Sequence, residues 1–483
     1  MVDYRYGMQS DAFAAENDFI PRGGDKRDQK PSLSNSFPGD DGAPNDADDL
    51  LAAMGYKPEL VRSRSTLQVA FMCFVLASIP YGLATTLYYP IVGGGPTTII
   101  WGWLAVSCII LCVAVSLGEI TSVYPTSGGV YYQTFMLAPP SYRRIASWIC
   151  GWSFVVGNIT ITLSVNFATA LFFVASINVF ESSPGIGILA GKPYQVYLIF
   201  LGITLICNCV SAFGNKWLPW LDVEHPATQV PKAMVGTILL NTICGLVFLI
   251  PLVFVMPDQA MLVGLLSGQP TPVIIRDAVG SPGAAFGLLI PLIILGFFCG
   301  IGTTTATSRA TWAFARDGAI PGFKWWKTVN PKLDVPLNAM MLSMVVQLAL
   351  GLIYFGAVTA FNAFSGVGVI CLTVSYACPI LVSLIQGRTQ VKDGNFYLGT
   401  LGTFCNVVAL AWSALATPLF SMPTSIPVTP RTMNYASVVF AAFFAIATAW
   451  YFVWGKKNYK GPPTHEAIVL EARRASMVNT RSK

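Results

Sequence analysis

The sequence predicts an all-α integral membrane protein, and three observations carry that reading. Hydrophobic residues fill 54% of the 483 positions and charged residues only 11%, against roughly 25% charged in an ordinary soluble domain. The few charges are clustered, which leaves ten apolar stretches near the about 20 residues that a helix needs to cross some 30 Å of hydrocarbon. All but three of the 29 Lys and Arg residues then fall on one side of the implied topology, as the positive-inside rule requires. These features exclude a soluble enzyme, a disordered scaffold and a nucleic-acid binder.

Residues 1–65 are expected to form a cytoplasmic N-terminal tail, mostly disordered. Their Asp, Gly, Pro and Ser, as in GGDKRDQKPSLSNSFPGDDGAPNDADD, cannot build a core. No positive segment leads directly into a short apolar one, so no secretory signal is expected. The transmembrane domain runs over 66–455. Its spans are placed at about 67–89, 98–118, 146–178, 194–213, 233–256, 283–307, 336–356, 361–385, 397–418 and 434–455. The third is long enough for two, but no charged or turn-rich break separates Trp148 from Asn178, so it is read as one tilted helix. Residues 456–483 are a basic cytoplasmic tail. With the N-terminus inside, only Lys192, Arg276 and Arg431 face out, and an even number of spans returns the C-terminus to the cytoplasm.

The first span reads LQVAFMCFVLASIPYGLATTLYYP. Pro80 lacks a backbone donor and Gly82 a side chain, so together they can open the helix near mid-membrane. Freed backbone groups would then line a polar cavity, with Ser78, Thr85 and Thr86 close by. A merely kinked packing helix is the alternative. Gly93–Gly95 followed by Pro96 then make a tight outer turn.

Glu119, near the inner end of the second span, is one of few carboxylates close to the bilayer. It serves either as a buried functional group or as an interfacial cap on the next loop. Gly128 and Gly129 permit a sharp turn before Tyr131 and Tyr132. In the third span, Gly151, Gly157, Ala168 and Ala170 allow close helix contact, while Asn158 and Asn166 need partners. The sixth span offers a smooth stripe at Gly296, Gly300 and Gly302 and a polar one at Thr303–Thr305, before Arg316 and Asp317 in the inner loop. These residues suit gating or structural roles. The 11 cysteines lie mostly inside apolar runs, so neither a disulfide framework nor a metal site is expected. No nucleophile motif or Walker-type phosphate loop is present, so no catalytic residues and no cofactor are assigned.

Several ordered motifs resemble one family. They are GYKPEL (55–60), TTLYYP (85–90), GGP (94–96) with WGW (101–103), GEITSVYPTSGGVYYQ (118–133), VPKAM (230–234), FARDGAIPGFKWW (314–326), VPLNA (335–339) and WGKKNY (454–459). The chain is identified as similar to fungal amino acid, GABA and choline permeases of the amino acid–polyamine–organocation superfamily. That resemblance implies a LeuT-like inverted-repeat fold with twelve spans and a substrate site at breaks in the first and sixth helices. It places Ser78, Ile79, Pro80, Tyr81, Gly82, Thr85 and Thr86 at one half of the site. It implies uptake of an amino acid or amine such as GABA, with choline or a polyamine as alternatives. Protons would be the coupling ion and the plasma membrane the first location, with a vacuolar or other internal membrane as the alternative. No proton-carrying residue is assigned.

The chain departs from the family in length. SAFGNKWLPWLD runs directly into VEHPATQVPKAMVG, where relatives place two further helices. The resemblance therefore implies that the fifth and sixth family helices are missing at Asp222–Val223. This leaves an incomplete fold of about ten helices without the second half of the site. Three accounts fit: a splice variant or gene-model error, a genuine ten-span carrier, or a non-transporting or regulatory membrane protein.

Overall fold

The computed structural model falls into two units, residues 1–44 and 45–483, and every described residue belongs to the second. The described residues are 77–126, 128–183, 186–189, 191–214, 226–265, 268–330, 332–333, 335–355, 358–392, 394–423, 429, 433–459 and 461–462. The N-terminal tail, the start of the first span, the Asp222–Val223 junction and most of the C-terminal tail lie outside them.

The first span is not continuous. Ser78 sits in the left-handed region at φ 40° and caps a short helix, α1 (Ile79–Thr86), which passes through Leu87 into α2 (Tyr88–Val92). The triple glycine then turns the chain. Gly94 and Gly95 adopt positive φ, as residues without a Cβ can, and Pro96 opens α3 (Pro96–Val123) at a position where its missing N–H costs nothing. Gly129, at φ 60°, plays the same part before α4 (Val130–Leu137).

The long third span is a single helix, α5 (Arg143–Ile177). A small antiparallel pair, β1 (Glu181–Ser183) and β2 (Ile186–Gly187), follows it, then α6 (Pro193–Phe213). After the undescribed junction come α7 (Pro226–Phe254), α8 (Gln259–Val263), α9 (Pro270–Val279) and α10 (Pro282–Arg316). The remainder comprises α11 (Phe323–Trp326), α12 (Leu337–Gly351), α13 (Val358–Ile385), α14 (Thr400–Leu419), α15 (Ala436–Trp450), a π-helical turn over Tyr451–Gly455, and α16 (Lys456–Asn458).

Among the described residues, nine helices are long and apolar enough to cross a membrane. The tenth expected span, at about 67–89, lies partly outside the described residues. The fold is therefore that of an all-α, multi-pass integral membrane protein.

α5 is the central pillar. In its most apolar stretch 61% of residues are buried, against 17% for α3, because α5 packs against α4, α6, α10 and α13 whereas α3 meets chiefly α7 and α14. Its small residues explain the closeness. A Cβ on Gly157 would come within 2.8 Å of the Leu372 side chain and 3.0 Å of its backbone nitrogen, so α13 lies almost on the α5 backbone.

Away from the bundle core, Arg276 of α9 donates to Glu181 of β1 at 2.5 Å, and that hydrogen bond holds the guanidinium pKa above its usual value. Both side chains are about a third exposed, so the pair fixes position more than it adds stability.

Candidate functional site

At the helix break, the backbone stops being self-sufficient for one turn. The hydrogen-bond ladder of α1 begins with the Gly82 N–H on the Ser78 carbonyl, 3.0 Å away. The amides of Ile79 and Tyr81 precede it, and Pro80 has none, so the first turn presents backbone N–H groups at the positive end of a helix dipole. Pro80 and Gly82 therefore do not open the helix, contrary to the sequence expectation. The break falls at Ser78, and Pro80, in the first turn of the new helix, starts it.

Neighbouring helices hold this turn in place. Ser78 Oγ donates to the Leu295 carbonyl of α10 at 3.3 Å. The Tyr81 hydroxyl donates to the Val165 carbonyl at 3.1 Å and shares a 2.7 Å hydrogen bond with Thr169 Oγ1, both on α5. At the far end, Thr271 Oγ1 donates to the Ala84 carbonyl at 2.8 Å and Gln269 to the Thr85 carbonyl at 3.4 Å. These capture carbonyls left over where α1 ends. Thr85 and Thr86 turn their hydroxyls onto α1 itself, both reaching the Gly82 carbonyl.

The glycine stripe of α10 is what lets α1 and α5 approach. A methyl at Gly296 would lie 2.8 Å from the Tyr81 ring and 3.1 Å from Thr169. At Gly300 it would lie 2.6 Å from Asn166 Oδ1 and 2.9 Å from Cys207 Sγ. Gly302 is half-buried and on another face, so it is not part of the stripe. Thr303 bonds back to the Cys299 and Gly300 carbonyls of its own helix. Asn166, fully buried, reaches Thr204 of α6 at 3.4 Å, while its Oδ1 has no hydrogen-bond partner among the described residues. Asn158 instead donates to the Phe154 carbonyl on its own helix. Ser78, Tyr81, Thr169, Gly296, Gly300 and Asn166 thus form one closed polar seam between α1, α5 and α10.

Glu119 belongs to a different place. It is 1% exposed, and it does not serve the loop that follows it. Its Oε2 accepts from Arg388 Nη2 at 2.5 Å and its Oε1 from the Leu398 amide at 2.9 Å. Arg388, in the turn that follows α13 and also with positive φ, donates to the Gly399 carbonyl at 2.6 Å and stacks over Tyr397. This buried ion pair ties α3 to the α13–α14 connection. Gly402 makes room for it, since a Cβ there would collide with Glu119 and Arg388.

Gly128 and Gly129 sit at the entry to α4. Arg316 is the last residue of α10 and Asp317 its cap. Arg316 lies over the Trp312 ring, and Asp317 accepts from the Tyr131 hydroxyl at 2.8 Å. None of these four touches the seam at Ser78. Sequence reasoning missed Thr169, Arg388 and Gly402. Thr169 stands three residues after Asn166 on one helical face, a signal that periodicity could have given; the other two act only through tertiary contact.

The broken first helix, packed against two interior helices by small residues and neutral hydrogen bonds, is the construction of a membrane carrier. The chain belongs to the amino acid permease family, whose model matches residues 65–223 and 222–444. It is thus a member of a family of transmembrane transporters, not of enzymes. The two matched pieces meet at Asp222–Val223.

Among its relatives is an uncharacterized amino-acid permease of Schizosaccharomyces pombe, 28% identical over 86% of this chain and 90% of the relative. The choline transporter of Saccharomyces cerevisiae is 27% identical over 86% and 85%. The GABA-specific permease of the same yeast is 28% identical over 86% and 86%. The alignment with the Schizosaccharomyces pombe protein spans 487 positions while covering only 86% of this 483-residue chain, so the relative carries residues with no counterpart here.

Proposed function

We propose that the full-length form of this permease imports a small solute bearing an amino group, driven by protons, and that this chain carries little or no flux. The observation that carries the reading is the helix break at Ser78. Its first-turn amides suit a substrate carboxylate, and Asn166 Oδ1, nearby in the seam, suits a hydrogen-bond donor. Residues Ser78 to Thr86 are the substrate-binding half, and the second half belongs to a helix pair absent at Asp222–Val223. The abutting family matches and the surplus positions in the alignment support that absence. Relatives named for GABA and for choline set the substrate range, with an amino acid or GABA-like amine first and choline or a polyamine second. The sided distribution of Lys and Arg supports cytoplasmic termini, and the plasma membrane is the proposed location.

The test compares this chain with a version carrying the missing segment, expressed in the same yeast. Uptake of labelled GABA, other amino acids and choline is measured with and without a proton gradient. The restored version is expected to accumulate one of these solutes and this chain not to. Equal uptake by both would overturn the account of the missing half. A transcript read across the codons for Asp222 and Val223 separates a real isoform from an error in the gene model. Folded protein at the membrane with no flux in either version would favour the second reading, a non-transporting membrane partner.

A further inference from the structure

After the last long helix the chain does not leave the bundle. The π-helical turn at Tyr451–Gly455 redirects it, a local irregularity often found where a helix has a task beyond spanning. A Cβ on Gly455 would touch the Trp148 ring at 3.0 Å, so the turn rests directly on α5. Lys456, Lys457 and Asn458 are exposed, yet the next residue, Tyr459, is 1% exposed. Its ring lies 5.3 Å from that of Trp148 and 6.2 Å from that of Phe314. Its hydroxyl shares a 2.8 Å hydrogen bond with Ser147 Oγ, which in turn reaches the Tyr131 carbonyl at 3.0 Å. Burial pushes the Tyr459 hydroxyl pKa well above its usual value, so it stays a neutral donor. Gly461, at φ 86°, then passes against the Phe135 ring. One short segment therefore touches α4, α5 and α10 where they end together, beside Arg143 and Arg316.

We propose that residues 455–459 together with Gly461 form a latch, with Tyr459 as its peg, that holds the adjoining ends of α4, α5 and α10 together. Lys456, Lys457 and Asn458 are exposed and the Tyr459 ring is the most deeply seated side chain of the segment, so undocking is a local opening that lies below global unfolding. The proposal does not depend on whether this chain transports. Beneath the peg lies a natural reporter, Cys150. It is fully buried three residues after Ser147, with Sγ 3.4 Å from the Ser375 carbonyl and from Thr134 Oγ1.

The test labels the whole protein in membranes with N-ethylmaleimide and reads each cysteine by peptide mapping. Cys207, also 0% exposed but packed in a separate cluster with Phe167 and Phe200, is the control. Tyr459→Ala is expected to speed Cys150 labelling by about tenfold or more, with Cys207 unchanged, as for a local opening. Tyr459→Phe, which keeps the ring, should stay near wild type. Gly461→Val, which leaves the peg intact but cannot hold the positive φ beside Phe135, should match Tyr459→Ala. If Cys150 stays protected in both Tyr459→Ala and Gly461→Val, or if Cys150 and Cys207 gain reactivity together, the latch is overturned.

Discussion

The seam at Ser78 and the junction at Glu119–Arg388 solve the same problem in opposite ways. Both bury polar groups inside a membrane protein. The seam uses neutral partners, two of them backbone carbonyls, bonded across helix boundaries. The junction uses a full charge pair, 2.5 Å apart and walled by Gly402. A neutral hydrogen bond is worth about 0.5–1.5 kcal/mol net, so it can be exchanged for a bond to a ligand at little cost. Opening a buried ion pair strands a charge at about 3–5 kcal/mol. The contacts of the seam are thus the cheaper to exchange, and those of the junction the costlier. A carboxylate near the bilayer is here the rigid element, and the uncharged turn is the adaptable one.

The sharpest attack on that contrast removes one member of the charge pair. Arg388→Met leaves Glu119 buried with the Leu398 amide, at 2.9 Å, as the one remaining donor to its side chain among the described residues, and about 3–5 kcal/mol of stability should be lost. The measurement is a thermal unfolding midpoint in detergent. Adding Glu119→Gln should recover most of the loss, because no charge then remains unpaired. A single variant as stable as the wild type would mean that the junction is already open to water.

A smaller effect is expected where the seam depends on close approach. Gly296→Val drives a side chain into the Tyr81 ring and Thr169, and overpacking of this kind costs about 1–3 kcal/mol. Gly287 on the same helix has open space around it, so Gly287→Ala should be neutral or slightly stabilising through helix propensity. Similar losses at both positions would show that the glycine stripe serves the helix in general and not the seam.

The two regions also differed in how far the sequence exposed them. The broken first helix was legible because Pro80 and Gly82 advertise it locally, although the break itself sits two residues earlier. There a serine takes a left-handed conformation that no propensity would assign to it. The membrane class and the long α5 were legible from hydropathy alone. Arg388 was not, since it stands 269 residues from Glu119 and reads as one more inner-loop cation. Tyr459 was hidden for the same reason. A polar tail after the last span looks solvated, and only the tertiary contact with Ser147 and Trp148 shows otherwise.

Within the seam, Tyr81→Phe deletes the hydroxyl that serves both Thr169 and the Val165 carbonyl. Thr169 retains its bond to the Val165 carbonyl on its own helix, so nothing is left stranded and the loss should stay near about 1 kcal/mol. The same thermal midpoint reads it. A loss as large as that of Arg388→Met would erase the distinction between cheaper and costlier contacts.

The finest test concerns Ser78 itself, because two terms there oppose each other. At φ 40° and ψ 52°, a residue with a Cβ carries a strain of roughly 1–2 kcal/mol that glycine avoids. Its Oγ contact with the Leu295 carbonyl, at 3.3 Å, returns about 0.5–1 kcal/mol. Ser78→Gly removes both terms and adds the chain-entropy cost of glycine, so its melting midpoint should barely move. Ser78→Ala removes only the hydrogen bond and keeps the strain, so it should melt below Ser78→Gly. The gap between the two variants isolates the strain held at the break. If alanine proves the more stable, the left-handed turn is not strained in the protein, and the break owes its position to the α10 contact alone.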